Sequence, residues 1–172
     1  MLKPLVKFMT VLGDETGVEG AWSGNDTVWR MTVDLNRILI YGRSDGSMAD
    51  VPQRLIVHIS DGIIAGQGNG PLAPVPFDLG VMLAGSNPAG MDLAAAYLLG
   101  FDPGKIPLIQ GSFGDYRWPV TRFGSNDVCV KSKERVQPAE ELSNEEWLPR
   151  PVHFPVGWTS AILPRPELVG LR

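Results

Sequence analysis

The chain has 172 residues, of which 44% are hydrophobic and 20% are charged, so it has the size of one domain and the composition of a folded globular protein. Its formal net charge of -4 excludes nucleic acid as the expected partner, because polyanion binding rests on clustered lysine and arginine. The single cysteine, Cys129, rules out an intramolecular disulfide and argues against an iron–sulfur cluster held within one chain.

The sequence shows no pattern typical of a signal peptide or a membrane span. The first eleven residues lack the charged flank, apolar segment and cleavage signature of a signal peptide, and no apolar run reaches the ~20 residues of a membrane span. We therefore predict no membrane partner, no cofactor and a cytoplasmic, reducing location.

The first predicted element is a helix that follows Gly24. Asn25 or Asp26 is placed to cap it, and Gly42 is placed to end it. Apolar residues recur along it at intervals of three and four, which predicts one buried stripe. The stripe consists of Val28, Met31, Leu35, Ile38 and Leu39.

The middle of the chain predicts the centre of a sheet. Leu55 to Ile59 is typical of a buried strand, and Phe77 to Ala84 predicts a second one. Between them, Ala65 to Pro76 is rich in glycine and proline and predicts a long loop. Pro88 then opens a helix that continues to Leu99 and ends at Gly100.

The C-terminal third is less regular. Trp118 to Phe123 and Asp127 to Val136 are candidate strands, the second with alternating apolar and polar residues. From residue 148 onward prolines favour an extended tail, in which we expect Trp158 to pack on the body of the protein. The pattern predicts a single α/β domain over residues 1–147, with a mixed or mostly parallel sheet and helices packed on it, and a docked Pro-rich tail over residues 148–172.

Three groups of residues together resemble a known family. They are Gly24-Asn25-Asp26-Thr27-Val28-Trp29-Arg30 with Asp34-Leu35-Asn36-Arg37; Asp61-Gly62-Ile63-Ile64 with Gly68-Asn69-Gly70-Pro71; and Leu83-Ala84-Gly85 through Asp92 to Gly100-Phe101-Asp102-Pro103. In this order they resemble the C-terminal portion of the conserved family numbered 362 among the domains of unknown function. The resemblance runs from about Gly20 to Ile109.

The resemblance implies no settled activity. Many members of that family are longer, with a preceding α/β region and sometimes ferredoxin-type cysteine clusters, which this chain lacks. Gln67 stands where the resemblance leads us to expect an acidic residue. The resemblance thus implies a shortened paralogue, one half of a split protein or a truncated piece. The expected partner is either a second copy or a separate chain that supplies the upstream region.

Candidate ligand-binding residues follow from position. Asp61 is expected at the carboxyl end of a strand, where open α/β sheets place ligands, although an Asp-Gly pair also makes an ordinary turn. Gly68 and Asn69 lie in a loop that could form an anion nest, or could be purely structural. Asp92 is either a partly buried carboxyl facing the strand ends or an acid favoured near a helix N-terminus.

Asp26 and Arg30 form a further candidate pair on the first helix. They lie four residues apart, so they share one side of the helix, and an exposed ion pair explains them without a ligand. The two histidines, His58 and His153, are isolated, so we predict no metal site.

Two hypotheses about function remain. The chain is a ligand-binding or catalytic half-domain that needs a second chain, or it is a non-catalytic protein-interaction module.

Overall fold

The computed structural model describes residues 26–70, 73–133, 135–144 and 152–163. These residues combine helices with short β-strands, which confirms the predicted combination of the two. The helices are α1 (Val28–Tyr41), α2 (Pro88–Leu99) and α3 (Pro107–Ser112), and the strands are β1 (His58–Gly62), β2 (Ala65–Asn69), β3 (Ala73–Phe77), β4 (Val81–Gly85), β5 (Cys129–Ser132) and β6 (Arg135–Pro138).

The strands pair as three separate antiparallel sheets: β1 with β4, β2 with β3, and β5 with β6. The prediction of a mixed or mostly parallel sheet is wrong for the described part of the chain. A parallel pair needs a long crossover connection, usually a helix. Between β1 and β4 the chain runs instead through the β2–β3 hairpin, so β4 returns antiparallel to β1.

The sequence predicted the limits of α1 correctly but not its buried face. The helix ends at Gly42, whose N–H donates to the Ile38 carbonyl at 2.8 Å. Its buried residues are Val33, Ile40 and Tyr41, whereas all five residues of the predicted apolar stripe are exposed. The stripe is uncovered because α1 turns the opposite side toward α3 and the chain around residue 120.

The cap predicted for α1 also differs. Thr27 precedes the first helical residue and makes no side-chain capping bond, while Asn25 lies outside the described residues. The Asp26 carboxylate instead accepts a hydrogen bond from the Trp29 indole N–H at 2.7 Å.

The region predicted as a long loop over residues 65–76 contains the β2–β3 hairpin. Ala65 pairs with Phe77 and Asn69 with Ala73. Pro74 and Pro76 are tolerated in β3 because a two-stranded sheet leaves every second N–H position pointing to an open edge. The strand predicted from Phe77 to Ala84 is correspondingly interrupted after β3, at a turn where Gly80 has φ +70°.

Helix α2 follows the prediction closely. Asn87 caps it by accepting from the Gly90 N–H at 3.0 Å, and Pro88 is the first helical residue. Gly100 ends it in the left-handed conformation with φ +84°, which glycine adopts without a Cβ penalty. Because both ends are capped locally, the helix bounds were readable from sequence.

The C-terminal part packs on α2. The strand predicted from Asp127 to Val136 is in fact the β5–β6 hairpin, and residues 118–123 form no regular strand. Trp158 contacts Phe101, with ring centroids 5.5 Å apart, which confirms the predicted docking of this tryptophan. The Asp102 N–H donates to the Ala161 carbonyl at 2.7 Å, so backbone bonds hold the same segment.

The interior of the described residues contains two apolar clusters. One centres on α2 and includes Leu93, Leu98 and Ile109. The other lies beneath α1 and includes Val33 and Tyr41. Phe113 packs against both clusters and joins them.

Candidate functional site

The main candidate site is a cleft between β1 and α2 that contains polar side chains. Strand β1 places His58 and Ser60 on the face that looks toward the helix, because their partners are Gly85 and Leu83 of β4. Helix α2 contributes Met91, Asp92 and Ala95, which recur at helical spacing along one side. The cleft has a volume of about 150 Å³.

Asp92 and His58 are the two titratable groups of this cleft. Burial against the surrounding apolar atoms raises the pKa of Asp92, and the charge of His58 offsets part of that effect, although the residue keeps contact with water at the rim. The buried His58 Nε2 has no hydrogen-bond partner among the described residues. A carboxyl with a raised pKa in a cleft that also contains an imidazole nitrogen without a described partner is typical of a functional site.

Asp61 lies in a neighbouring cleft of about 140 Å³. The two clefts share Ser60, Leu83 and Ala95 as walls. The Asp61 carboxylate accepts from the Ile63 N–H at 2.9 Å and its side chain is exposed, which is the geometry of a turn. Structure therefore brings Asp61 and Asp92 to adjacent clefts but not to one site.

Gly68 and Asn69 hold a segment of the same chain. The Gly68 N–H donates to the His153 carbonyl at 2.8 Å. The Asn69 side-chain oxygen accepts from the Val156 N–H at 3.1 Å, and the Gln67 side-chain oxygen accepts from the His153 N–H at 2.9 Å. These groups of the β2–β3 hairpin are bonded to residues 153–156, so they dock the C-terminal segment.

Asp26 and Arg30 form a local ion pair at the start of α1. The Arg30 guanidinium lies 2.8 Å from the Asp26 carboxylate, and both side chains are exposed. The hydrogen bond from Trp29, followed by that from Arg30, lowers the pKa of Asp26. This pair belongs to α1 and does not line the clefts at β1, so the structure supports the local explanation for it.

Residues suited to metal binding are scattered in the described part of the chain. No three His, Cys, Asp or Glu side chains gather there where they could hold a metal ion. Cys129 is exposed on β5.

Exposed apolar faces are the feature that the sequence interpretation missed. On the outer face of the β1–β4 pair, Ile59 is 68% and Met82 is 60% exposed, and Val57 just before β1 is also exposed. The signal was present in the sequence, since Leu55 to Ile59 is apolar at nearly every position rather than at alternate ones. Such a run is typical of a strand that is buried on both faces.

A comparison of the chain with protein-family models, with curated proteins and with solved structures found no match. Within the ranges that the structure describes, no helix has the length and apolar character needed to cross a membrane.

Proposed function

We propose that the protein is a half-domain whose function is to bind a second polypeptide chain across an uncovered apolar layer. The observation that carries this proposal is the β1–β4 pair. Its inner face packs on α2 through Val81 and Leu83, while its outer face exposes Ile59 and Met82.

The energetics favour a partner. Burial of apolar surface contributes about 25 cal/mol of stabilising free energy for each Å² removed from water. Apolar surface that stays exposed lacks this contribution. Contiguous exposed patches larger than a few hundred Å² are uncommon in stable monomers and mark interaction sites. The exposed side chains of Val57, Ile59 and Met82, together with the exposed stripe of α1, are the apolar groups that a partner would cover.

The two clefts support binding of a polypeptide rather than of a large cofactor. Sites for drug-sized ligands enclose about 300–1,000 Å³. The clefts measure about 150 and 140 Å³, so neither encloses a molecule of that size without a further wall.

The proposal is tested with a hydrophobic dye and with sedimentation. We expect the purified full-length chain to bind the dye or to associate, and the double variant Ile59→Thr with Met82→Thr to lose a large part of the dye binding. Threonine keeps the β-propensity of these positions, so the fold should persist. Val136→Thr, which changes a side chain of similar exposure on β6, is the matched control. A wild-type chain that neither binds the dye nor associates would contradict the proposal.

A second candidate function is a ligand-binding half-site at the Asp92 cleft. The observation in its favour is the raised pKa of the Asp92 carboxyl beside the unpaired His58 Nε2. The test adds divalent metal ions or inorganic phosphate to the full-length chain and measures its melting temperature. A ligand that binds only the native state raises that temperature. An increase in wild type that disappears in Asp92→Asn supports this candidate, and an equal increase in both proteins rejects it.

The cellular location of the protein and its family relationship are also proposals. We propose a cytoplasmic location because the exposed thiol of Cys129 is compatible with a reducing compartment. The relationship to the family numbered 362 stays a prediction from the motifs.

A further inference from the structure

The five exposed apolar residues of α1 form a continuous stripe, here called the α1 seam. Each of them leaves 45–58% of its surface in water. The α1 seam consists of Val28, Met31, Leu35, Ile38 and Leu39. It carries no charged residue, so it is a purely apolar surface on a helix of 14 residues.

The α1 seam lies on the side of the helix opposite the core. With about 100° of rotation per residue, the seam residues cluster around one direction, and Val33, Ile40 and the half-buried Trp29 lie about 130–170° away from it. The buried side is fixed by the cluster beneath α1 and by the Tyr41 hydroxyl, which donates to the Pro119 carbonyl at 2.8 Å. No contact among the described residues uses the seam as part of the core.

The spacing of the α1 seam identifies its occupant. Val28, Met31, Leu35 and Ile38 are separated by three, four and three residues, which is the spacing of helices that mesh in coiled coils. This spacing is symmetric about residue 33. An antiparallel copy of the same helix therefore places Val28 opposite Ile38 and Met31 opposite Leu35, and a two-fold axis repeats both contacts.

We propose that the α1 seam binds the α1 seam of a second copy of this chain in an antiparallel, two-fold contact. This inference rests on the proposed function, since it names the partner of one apolar face. Helix pairs of this kind pack with their axes about 8–10 Å apart, which the absence of bulky aromatic residues from the seam permits.

The charged residues of α1 are compatible with this contact. Arg37 lies 2.7 Å from Asp34, and Arg30 lies 2.8 Å from Asp26, so the carboxylates of α1 are paired within their own helix. The Arg37 guanidinium also stacks 3.7 Å from the centroid of the Tyr116 ring, away from the seam. These two ion pairs therefore need not be broken when two seams meet.

The size of the seam sets the expected strength. A standard interface buries about 800 Å² on each partner. The five side chains of the α1 seam offer a smaller area than that. Val51 and Leu55 are further exposed apolar residues after α1, and Arg54 donates to the Leu39 carbonyl at 2.7 Å, which ties this segment to the end of the helix. We therefore expect a reversible dimer with a dissociation constant on the order of micromolar.

Sedimentation of the full-length chain over a concentration series measures this dimer. Leu35→Glu places a charge at the centre of the seam and should weaken association at least about tenfold. Glutamate is a good helix former at this exposed position, so circular dichroism and the melting temperature should stay unchanged. Val136→Glu is the matched control, because it introduces the same charge at an equally exposed apolar residue of β6 and should leave the dimer intact.

The register has its own test. Met31→Lys and Leu35→Glu should each be monomeric alone, whereas an equimolar mixture should form a heterodimer, since the antiparallel register sets position 31 of one copy opposite position 35 of the other. A mixture that stays monomeric overturns the antiparallel register.

The remaining outcomes separate this inference from the proposed function. A dimer that Leu35→Glu leaves unchanged overturns the α1 contact but leaves the proposed half-domain in place. A strict monomer that still binds the hydrophobic dye overturns the proposed dimer and also leaves the proposed half-domain in place. A strict monomer without dye binding overturns both.

Discussion

At the scale of single residues, Asp92 shows how an apolar environment changes a carboxyl group. The residue lies on α2 opposite β1, and burial among apolar atoms raises its pKa above the ordinary value. The native state therefore holds the Asp92 proton more tightly than the unfolded state does. Ionisation of Asp92 consequently costs stability, and this cost appears as the pH rises through the raised pKa.

Replacement of Asp92 by asparagine tests this sign. As the pH falls below 3.8, the ordinary pKa of Asp, the carboxyl becomes protonated in both states, and the melting temperature of the variant should approach that of wild type. As the pH rises toward neutrality, wild type should lose stability relative to Asp92→Asn, so the difference in melting temperature should grow in favour of the variant. Thermal melts of both proteins from pH 3.5 to pH 7 measure it. A difference that is constant with pH would show that the carboxyl is not perturbed.

Gly111 illustrates close packing between helices. A Cβ built on this residue of α3 would lie 2.6 Å from Cε3 of the Trp29 ring on α1, which is closer than real side chains approach. Gly111→Ala should therefore displace the indole and cost about 2 kcal/mol of unfolding free energy. Denaturant titration and tryptophan fluorescence measure both effects. The matched control is Gly90→Ala in α2, where the added methyl meets nothing nearer than 3.7 Å and helix propensity improves.

At the scale of secondary structure elements, α2 is the central helix of the protein. It contributes Leu93 and Leu98 to the larger apolar cluster and one wall of both clefts. Its position depends on Asn87, whose side chain has two roles. The oxygen caps the helix at the Gly90 N–H, and the amide nitrogen donates to the Val120 carbonyl at 3.0 Å.

Substitutions of Asn87 separate these two roles. Asn87→Ala removes both bonds and should lower the unfolding free energy by about 1–2 kcal/mol. Asn87→Asp keeps the capping acceptor and loses only the bond to Val120, so it should fall between wild type and alanine. Chemical denaturation of the three proteins gives the order. If the aspartate variant is as unstable as the alanine variant, the cap contributes little.

The docked C-terminal segment is a second element with a defined role. Phe154 and Trp158 pack edge-on against Phe101, with ring centroids 4.8 and 5.5 Å away. Trp158→Ala should lower the unfolding free energy by about 2 kcal/mol and remove a buried component from the tryptophan fluorescence. Val156→Ala changes an exposed side chain of the same segment and keeps the backbone bond to Asn69, so it should lie within about 0.5 kcal/mol of wild type.

At the scale of the whole molecule, two apolar clusters share Phe113 and are enclosed by three helices. The β-sheets contribute less, because each described sheet has only two strands. An isolated pair of strands is marginally stable in water and needs packing against a helix. The inner face of β1–β4 meets that need through α2, and its outer face is the surface proposed to bind another chain.

The candidate site was partly predictable. Asp92 and Asp61 were identified from their positions in sequence, and they do line adjacent clefts. His58, which shares the cleft with Asp92, was considered only as an isolated histidine that predicts no metal site, because a single histidine in a strand has no spacing that marks it. The bonds of Gly68 and Asn69 to the C-terminal segment could not be foreseen, since they join residues more than eighty positions apart.

The sequence by itself determined the features that depend on neighbouring residues. The limits of α2 follow from Asn87, Pro88 and Gly100, and the end of α1 follows from Gly42, because capping and backbone preference act within one turn. Composition likewise indicated a folded globular chain, and the pattern of apolar residues indicated that it combines helices and strands.

The tertiary structure alone decided which surfaces are covered. Apolar residues occupy both sides of α1 and both faces of the β1–β4 pair, so hydrophobic periodicity could not choose between them. The choice was made by contacts between distant parts of the chain, such as the packing of Trp29 on Gly111 and the bond from Tyr41 to Pro119. The antiparallel pairing of β1 with β4 has the same origin, because it depends on how the β2–β3 hairpin returns the chain and not on the residues of either strand.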